Sequence, residues 1–217
     1  MPTSKLNLPA LLVARLCHDL ISPVGAISNG LELLSLTGDA NGPEFDLIGE
    51  SVANANAKLA LFRLAFGSGG TQTISTDALN EMLAGLYGDS GFTAAFETTG
   101  ELSKSDAKLL LLLTLCCETA MNRRGKVTLT KELTVRCQGD VRPNKNALFT
   151  RLRNGLDWPE DIGAADVHFP LTELALSEAS LQLQCALDGQ TFNIWTKAHV
   201  SELLINREPS RHLRQGT

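Results

Sequence analysis

Apolar residues recur along the first third of the chain at the spacing of a helical seam. Val13, Cys17, Leu20, Val24, Ile27, Leu31 and Leu34 alternate steps of four and three positions, the heptad pattern of a helix that packs lengthwise on another. The pattern predicts a helix that begins near Leu6, with Ser4 or Asn7 as its cap. Pro23 falls inside it. An interior proline removes one backbone hydrogen bond and tends to bend the helix. The apolar period continues through it, so the bend is either used or tolerated. Residues 37–43, Thr-Gly-Asp-Ala-Asn-Gly-Pro, are dense in turn formers and end the element. A second seam follows at Phe45, Ile48, Val52, Ala55, Leu59, Phe62 and Phe66, and Gly67-Ser68-Gly69-Gly70 closes it. Two such helices joined by a short loop predict an antiparallel hairpin. One hairpin leaves much of both seams uncovered. Pairing with a second copy into a four-helix bundle, and hence a homodimer, is expected; packing of the seams on the rest of the same chain is the alternative.

The pattern changes after residue 70. Residues 77–87 read as a helix, 92–98 as a strand, and 103–121 as a strongly apolar helix with Ser103 or Ser105 as cap. Arg123-Arg124-Gly125 reads as a turn. Residues 126–131 and 133–138 alternate like paired strands, 144–156 and 171–179 read as helices, and 181–187 and 191–197 form a hairpin through Asp188-Gly189. The predicted class is α+β: a helical hairpin over 1–69, an α/β sandwich domain of helices on a mostly antiparallel sheet over 70–200, and a polar tail over 201–217. The tail carries Arg207, Arg211 and Arg214 and reads as a surface helix or disorder. Leu109–Leu113 reads as core, and Cys116 and Cys117 beside it as packing.

Composition narrows the function classes. The chain has 217 residues, 43% hydrophobic and only 5% aromatic, with a net charge of −5. No basic run tracks a nucleic-acid backbone, so nucleic acid is not an expected partner. The five cysteines, Cys17, Cys116, Cys117, Cys137 and Cys185, include no CxxC pair, which argues against a disulfide framework or a structural metal. No signal peptide is read at the start. The most apolar run, 109–117, is too short to span a bilayer, so no membrane association and a cytoplasmic location are expected.

The candidate chemistry sits on the first helix. With Cys17 and Leu20 on the seam, His18 and Asp19 take outer positions. One and two turns on stand Ser22, Gly25, Ala26 and Asn29, small or polar residues that leave an open surface. No second His or Cys lies a turn away to share a metal. A neutral imidazole whose second nitrogen donates to a carboxylate has its tautomer fixed and its nucleophilicity raised. Asp19 is placed to do this, and phosphoryl transfer is a reaction that positioning of this kind serves. A solvated surface histidine without a role is the alternative. Arg63 and Lys58 on the second helix could neutralise phosphate, depending on the hairpin register, or could simply be solvated.

The run His18-Asp19-Leu20-Ile21-Ser22-Pro23 resembles the H-box of sensor histidine kinases. The wider run from Leu16 to Ile27, followed by Asn29-Gly30-Leu31-Glu32-Leu33-Leu34, looks like the ChpT family of alphaproteobacterial histidine phosphotransferases. The resemblance implies a kinase-like dimerisation hairpin followed by a degenerate ATPase-like domain. It implies that His18 accepts phosphate, with Asp19 as its acid/base partner and Ser22 as the H-box hydroxyl. It also implies a receiver-docking face around His18, in which Arg15, Ser22, Gly25, Ala26 and Asn29 take part. The implied partners are the receiver domain of a CckA-like hybrid kinase and CtrA-like and CpdR-like response regulators. No ATP binding is expected, and Mg²⁺ would come with the partner receiver. The helix that should bear a metal-holding asparagine carries Glu118 and reaches Asn122 only past its apolar stretch. Asp161-Ile162-Gly163 is a fragment of the adenine-reading loop, with Ala165 at the second glycine. An active kinase with a divergent nucleotide site, and a non-catalytic adaptor that docks a response regulator, are the competing functions.

Overall fold

A computed structural model describes residues 6–37, 42–88, 90–122, 124–188 and 191–198. Ser4, the loop tip 38–41, Arg123, the hairpin turn at 189–190 and the tail 201–217 lie outside the described residues.

Helix α1 (Leu8–Thr37) runs unbroken through Pro23. Asn7 caps it, its Oδ1 accepting from the backbone N–H of Ala10 at 3.2 Å. Helix α2 (Pro43–Ala65) starts with proline in its first turn, where the missing N–H costs nothing. The two form the expected hairpin. The seams divide between two neighbours. Leu20, Ile27 and Leu34 are half-buried, as are Ile48 and Ala55, while Phe62 is buried. Val13, Cys17, Val24 and Leu31 on α1, with Phe45, Val52 and Leu59 on α2, stay exposed. An apolar stripe therefore runs along the outside of the hairpin.

The helices approach closely at Gly30, which is buried. A Cβ there would meet Ile48 Cγ1 at 2.6 Å and the Glu44 carbonyl oxygen at 3.3 Å.

The second part begins with a two-stranded sheet that the residue pattern did not predict, β1 (Thr73–Ser75) antiparallel to β3 (Glu101–Ser103). Strands of three residues are too short to show a period. Each ends in a serine that caps the next helix. Ser75 accepts from Ala78 N–H at the start of α3 (Thr76–Tyr87), and Ser103 from Asp106 N–H at the start of α4 (Lys104–Ala120). Between β1 and β3 runs β2 (Phe92–Phe96). The chain continues through β4 (Gly125–Leu129), β5 (Thr134–Gln138), α5 (Pro143–Asn154), a 3-10 turn (Ala164–Asp166), α6 (His168–Glu178), β6 (Leu181–Asp188) and β7 (Thr191–Ala198). Helix α6 starts three residues before the expected position because Pro170 sits in its first turn, where a missing N–H is tolerated.

The main sheet has five strands in the order β2-β4-β5-β7-β6, antiparallel except for β2 with β4. Its buried residues alternate: Phe92, Ala94 and Phe96, then Val127 and Leu129, Val135 and Cys137, Phe192 and Ile194. One face of the sheet thus carries the core. Against it lies α4, whose Leu109–Leu113 are wholly buried, along with Cys116 and Cys117. Leu61, Phe62 and Ala65 of α2 belong to the same core, so the hairpin is rooted in the second part at its lower end.

The expectation that no segment could span a bilayer rested on 109–117 and needs correction. By length and composition alone, α1 is long and apolar enough. The same helix carries an Arg15–Asp19 ion pair and packs on α2 and on the turn at 164–166.

The close approach at Gly30 gives a stability test. Gly30→Val should cost about 1–3 kcal/mol through overpacking, read as a lowered urea midpoint. Gly25→Val, where a Cβ meets nothing within 4 Å, should cost far less.

Candidate functional site

His18 projects from the middle of α1. Its side chain is 84% exposed, whereas that of its neighbour Asp19 is 8% exposed. The two residues point to different places because successive helical positions are about 100° apart. His18 Nδ1 lies 3.2 Å from Asp19 Oδ1. The other carboxylate oxygen, Oδ2, accepts from Arg15 Nε at 2.7 Å, one turn back. Arg15 is itself largely buried, and its Nη1 donates to the Ala165 carbonyl at 3.2 Å. The chain runs from His18 to a buried carboxylate, to a guanidinium, to the backbone of the second part.

The segment after Asp161-Ile162-Gly163 forms part of this chain of contacts. Gly163 begins the 3-10 turn, Ala165 presents its carbonyl to Arg15, and Asp166 accepts from Lys145 Nζ at 2.5 and 2.6 Å. That ion pair is mostly buried and fixes the turn to α5.

A groove of about 200 Å³ opens beside His18. Arg15 and Asp19 line it from α1, Glu118 and Thr119 from α4, and Asn122, Arg142 and Ala165 from the loops. Glu118 is buried and accepts from the Tyr87 hydroxyl at 2.9 Å. Arg142 Nη2 donates to the Thr119 carbonyl at the end of α4, the placement that suits a cation at a helix C-terminus.

The other expected residues fall around this centre. Ser22 and Asn29 are exposed, and Gly25 stands in open space. Ser22 and Ala26 line a shallow groove with Pro23, Glu50, Asn54 and Gly85. Arg15 is held in the interior of the site rather than on its surface. Of the two cations on α2, Lys58 comes to the site, donating to the Asp19 backbone carbonyl at 3.1 Å. Arg63 lies on an exposed patch with Asn56, Leu59 and Ala60. The groove residues Arg142 and Ala165, and Tyr87 that bonds Glu118, were not legible as site residues. Glu118, a carboxylate inside an apolar helix, was the available signal. Among the described residues no three His, Cys, Asp or Glu side chains gather as a metal site would require.

A second histidine stands behind Arg15. His168 is 1% exposed, and its Nε2 has no hydrogen-bond partner. Burial, reinforced by the charges of Arg15 and Lys145, holds its pKa well below the usual 6.5. The ring is neutral in the fold, so the unfolded chain binds the extra proton as pH falls below about 6.5. Stability is full above that value and is lost on acidification. Urea unfolding of wild type should weaken from pH 7 to pH 5. His168→Leu should flatten that slope even if its absolute stability differs.

The comparisons with known proteins place the chain in a family. Residues 76–191 match the family described as histidine phosphotransferase C-terminal domain. The chain is 34% identical over 192 residues to the protein phosphotransferase ChpT of Brucella abortus (strain 2308), covering 83% of this chain and 90% of that one. A solved structure titled as a bacterial phosphotransferase at 1.7 Å superposes with a TM-score of 0.71 at 30% identity, over 88% of this chain and 96% of the other. The histidine kinase AdeS of Acinetobacter baumannii aligns at 12% identity with a TM-score of 0.36, over 83% of this chain and 96% of that one, a similarity too low to bear on fold or function.

Proposed function

The chain belongs to the ChpT family of histidine phosphotransferases, and on that premise we propose that it relays phosphoryl groups through His18 between receiver domains. The observation that carries the reading is an exposed imidazole held through Nδ1 by a buried, doubly engaged carboxylate.

With Nδ1–H donating to Asp19, the Nε2 lone pair faces solvent as the nucleophile. Nε2 attacks the phosphorus of an aspartyl phosphate on a visiting receiver. The N–P bond forms, the acyl P–O bond breaks, and the receiver aspartate departs as a carboxylate. The imidazole ring becomes cationic, and the Asp19 carboxylate stabilises it without rearranging, because Arg15 already holds it in place. The same steps in reverse load the next receiver. Mg²⁺ belongs to the receiver in this scheme. The docking face comprises Ser22, Gly25, Ala26 and Asn29, whose low relief admits a second protein close to Nε2. The family resemblance names the partners: the receiver of a CckA-like hybrid kinase upstream, and CtrA-like and CpdR-like regulators downstream.

The second part is proposed to bind no ATP. Its adenine-reading loop is reduced to the turn at 163–166, which is occupied in holding Arg15. Wild type should gain one phosphate, labile to acid, from a phosphorylated receiver. It should gain none from labelled ATP and Mg²⁺ alone, and His18→Ala should abolish the transfer. Intact-mass analysis reads all three. Labelling by ATP alone would favour the divergent kinase, and receiver inhibition that survives His18→Ala would favour the adaptor.

The outer apolar stripe is proposed to be covered by a second copy of the hairpin, giving a homodimeric four-helix bundle in the cytoplasm rather than a membrane span. Val24, Leu31, Phe45, Val52 and Leu59 would form its seam. Light scattering should give twice the chain mass for wild type, and Leu31→Asp should return it to the monomer.

A further inference from the structure

Pro23 leaves a vacancy in the helix beside His18. In an α-helix the N–H of residue 23 would bond the carbonyl of residue 19. Proline has no N–H, and its ring pushes against that carbonyl. The Asp19 carbonyl oxygen is therefore the one acceptor in this turn that the helix itself cannot satisfy. It is not left unpaired. Lys58, from the facing helix, donates to it from Nζ at 3.1 Å in a half-buried setting. Lys58 also lines a cavity with Arg15, Asp19, Asn54 and Glu118, so its stem and head lie within the junction of α1, α2 and α4.

We infer that Lys58 is a positioning residue for His18: its ammonium replaces the backbone N–H that Pro23 lacks and so fixes the turn that carries Asp19 and His18. This inference rests on the phosphotransfer reading above. Asp19 is then held at both ends, its carboxylate by Arg15 and its carbonyl by Lys58. Lys58 comes from α2, and Arg15, on α1 itself, is tied to the Ala165 carbonyl of the second part, so a local roll or slide of α1 would break the Lys58 bond or the Arg15–Ala165 bond. A hydrogen bond to a charged donor is about twice as strong as a neutral one, which suits a single side chain standing in for a ladder bond. Lysine does not touch the reacting atoms in this arrangement. Its effect passes through the orientation of Asp19 to the proton on Nδ1.

The role is tested by a double-mutant cycle with Pro23. In the native background, Lys58→Met should slow single-turnover transfer from a phosphorylated receiver about tenfold, the scale of a lost charge-assisted bond. Receiver affinity, measured by titration, should change less than about twofold. Lys58→Arg should recover most of the rate. In a Pro23→Ala background, residue 23 regains an N–H and the carbonyl has a partner of its own. There the same Lys58→Met change should cost less than about threefold. Ring ¹⁵N shifts give a readout that needs no receiver: the Nδ1–H tautomer of His18 should dominate in wild type and lose population in Lys58→Met. Should Lys58→Met fail to fold, Lys58→Gln enters the same cycle. An equal cost in both backgrounds overturns the inference, as does a loss of receiver affinity that accounts for the whole rate change. If wild-type chain accepts no phosphate, the proposed function itself has failed. The tautomer shift then decides the Lys58 assignment alone, an unchanged ring state overturning it.

Discussion

The carboxylate of Asp19 is the interaction on which the rest of the molecule turns. It is buried and engaged on both oxygens: His18 on one, Arg15 on the other. A buried carboxylate is tolerated only when it is paired and hydrogen-bonded. Here the pairing has a direction. Arg15 supplies the charge that makes burial acceptable, and the imidazole is left as the exposed end of the chain. The asymmetry lets one helix present an imidazole to solvent while keeping the carboxylate beside it out of solvent.

The second part of the chain supplies the back wall of this arrangement. Helix α4 is apolar on all sides because it lies between the sheet, α6 and the hairpin. Its one buried carboxylate, Glu118, faces the junction with α1 and is bonded to Tyr87. The turn at 163–166 is pinned to α5 by Lys145 and offers its Ala165 carbonyl to Arg15. The turn has no glycine after Gly163, and a non-glycine backbone holds a carbonyl in one place.

Much of this was legible in the residues. The helical hairpin followed from uninterrupted heptads, and the second part from strands and helices long enough to show their period. Two helix starts were legible to within a choice of caps, Ser4 or Asn7 and Ser103 or Ser105, of which Asn7 and Ser103 cap the helices. The exposure of His18 was legible because its neighbours are small, whereas Asp19, expected at an outer position, is buried against Arg15. What stayed hidden depends on distance along the chain. Nothing local says that Lys58 reaches the Asp19 carbonyl, since that requires the hairpin register, or that Arg15 turns inward to Ala165, 150 residues away. The small β1–β3 sheet was missed because three residues cannot reveal an alternation. The apolar length of α1 was overlooked because its charges break it into runs that each look short.

The bond from Arg15 to Ala165 bears on how the protein comes into being. The hairpin emerges first during synthesis, with His18 already on it. Arg15, however, lacks its backbone anchor until the chain has been made past residue 165 and the turn has settled on α5. A nascent or truncated hairpin would display the histidine with a looser acid beside it. The anchored centre is thus a property of a polypeptide made past residue 165 and not of the hairpin alone.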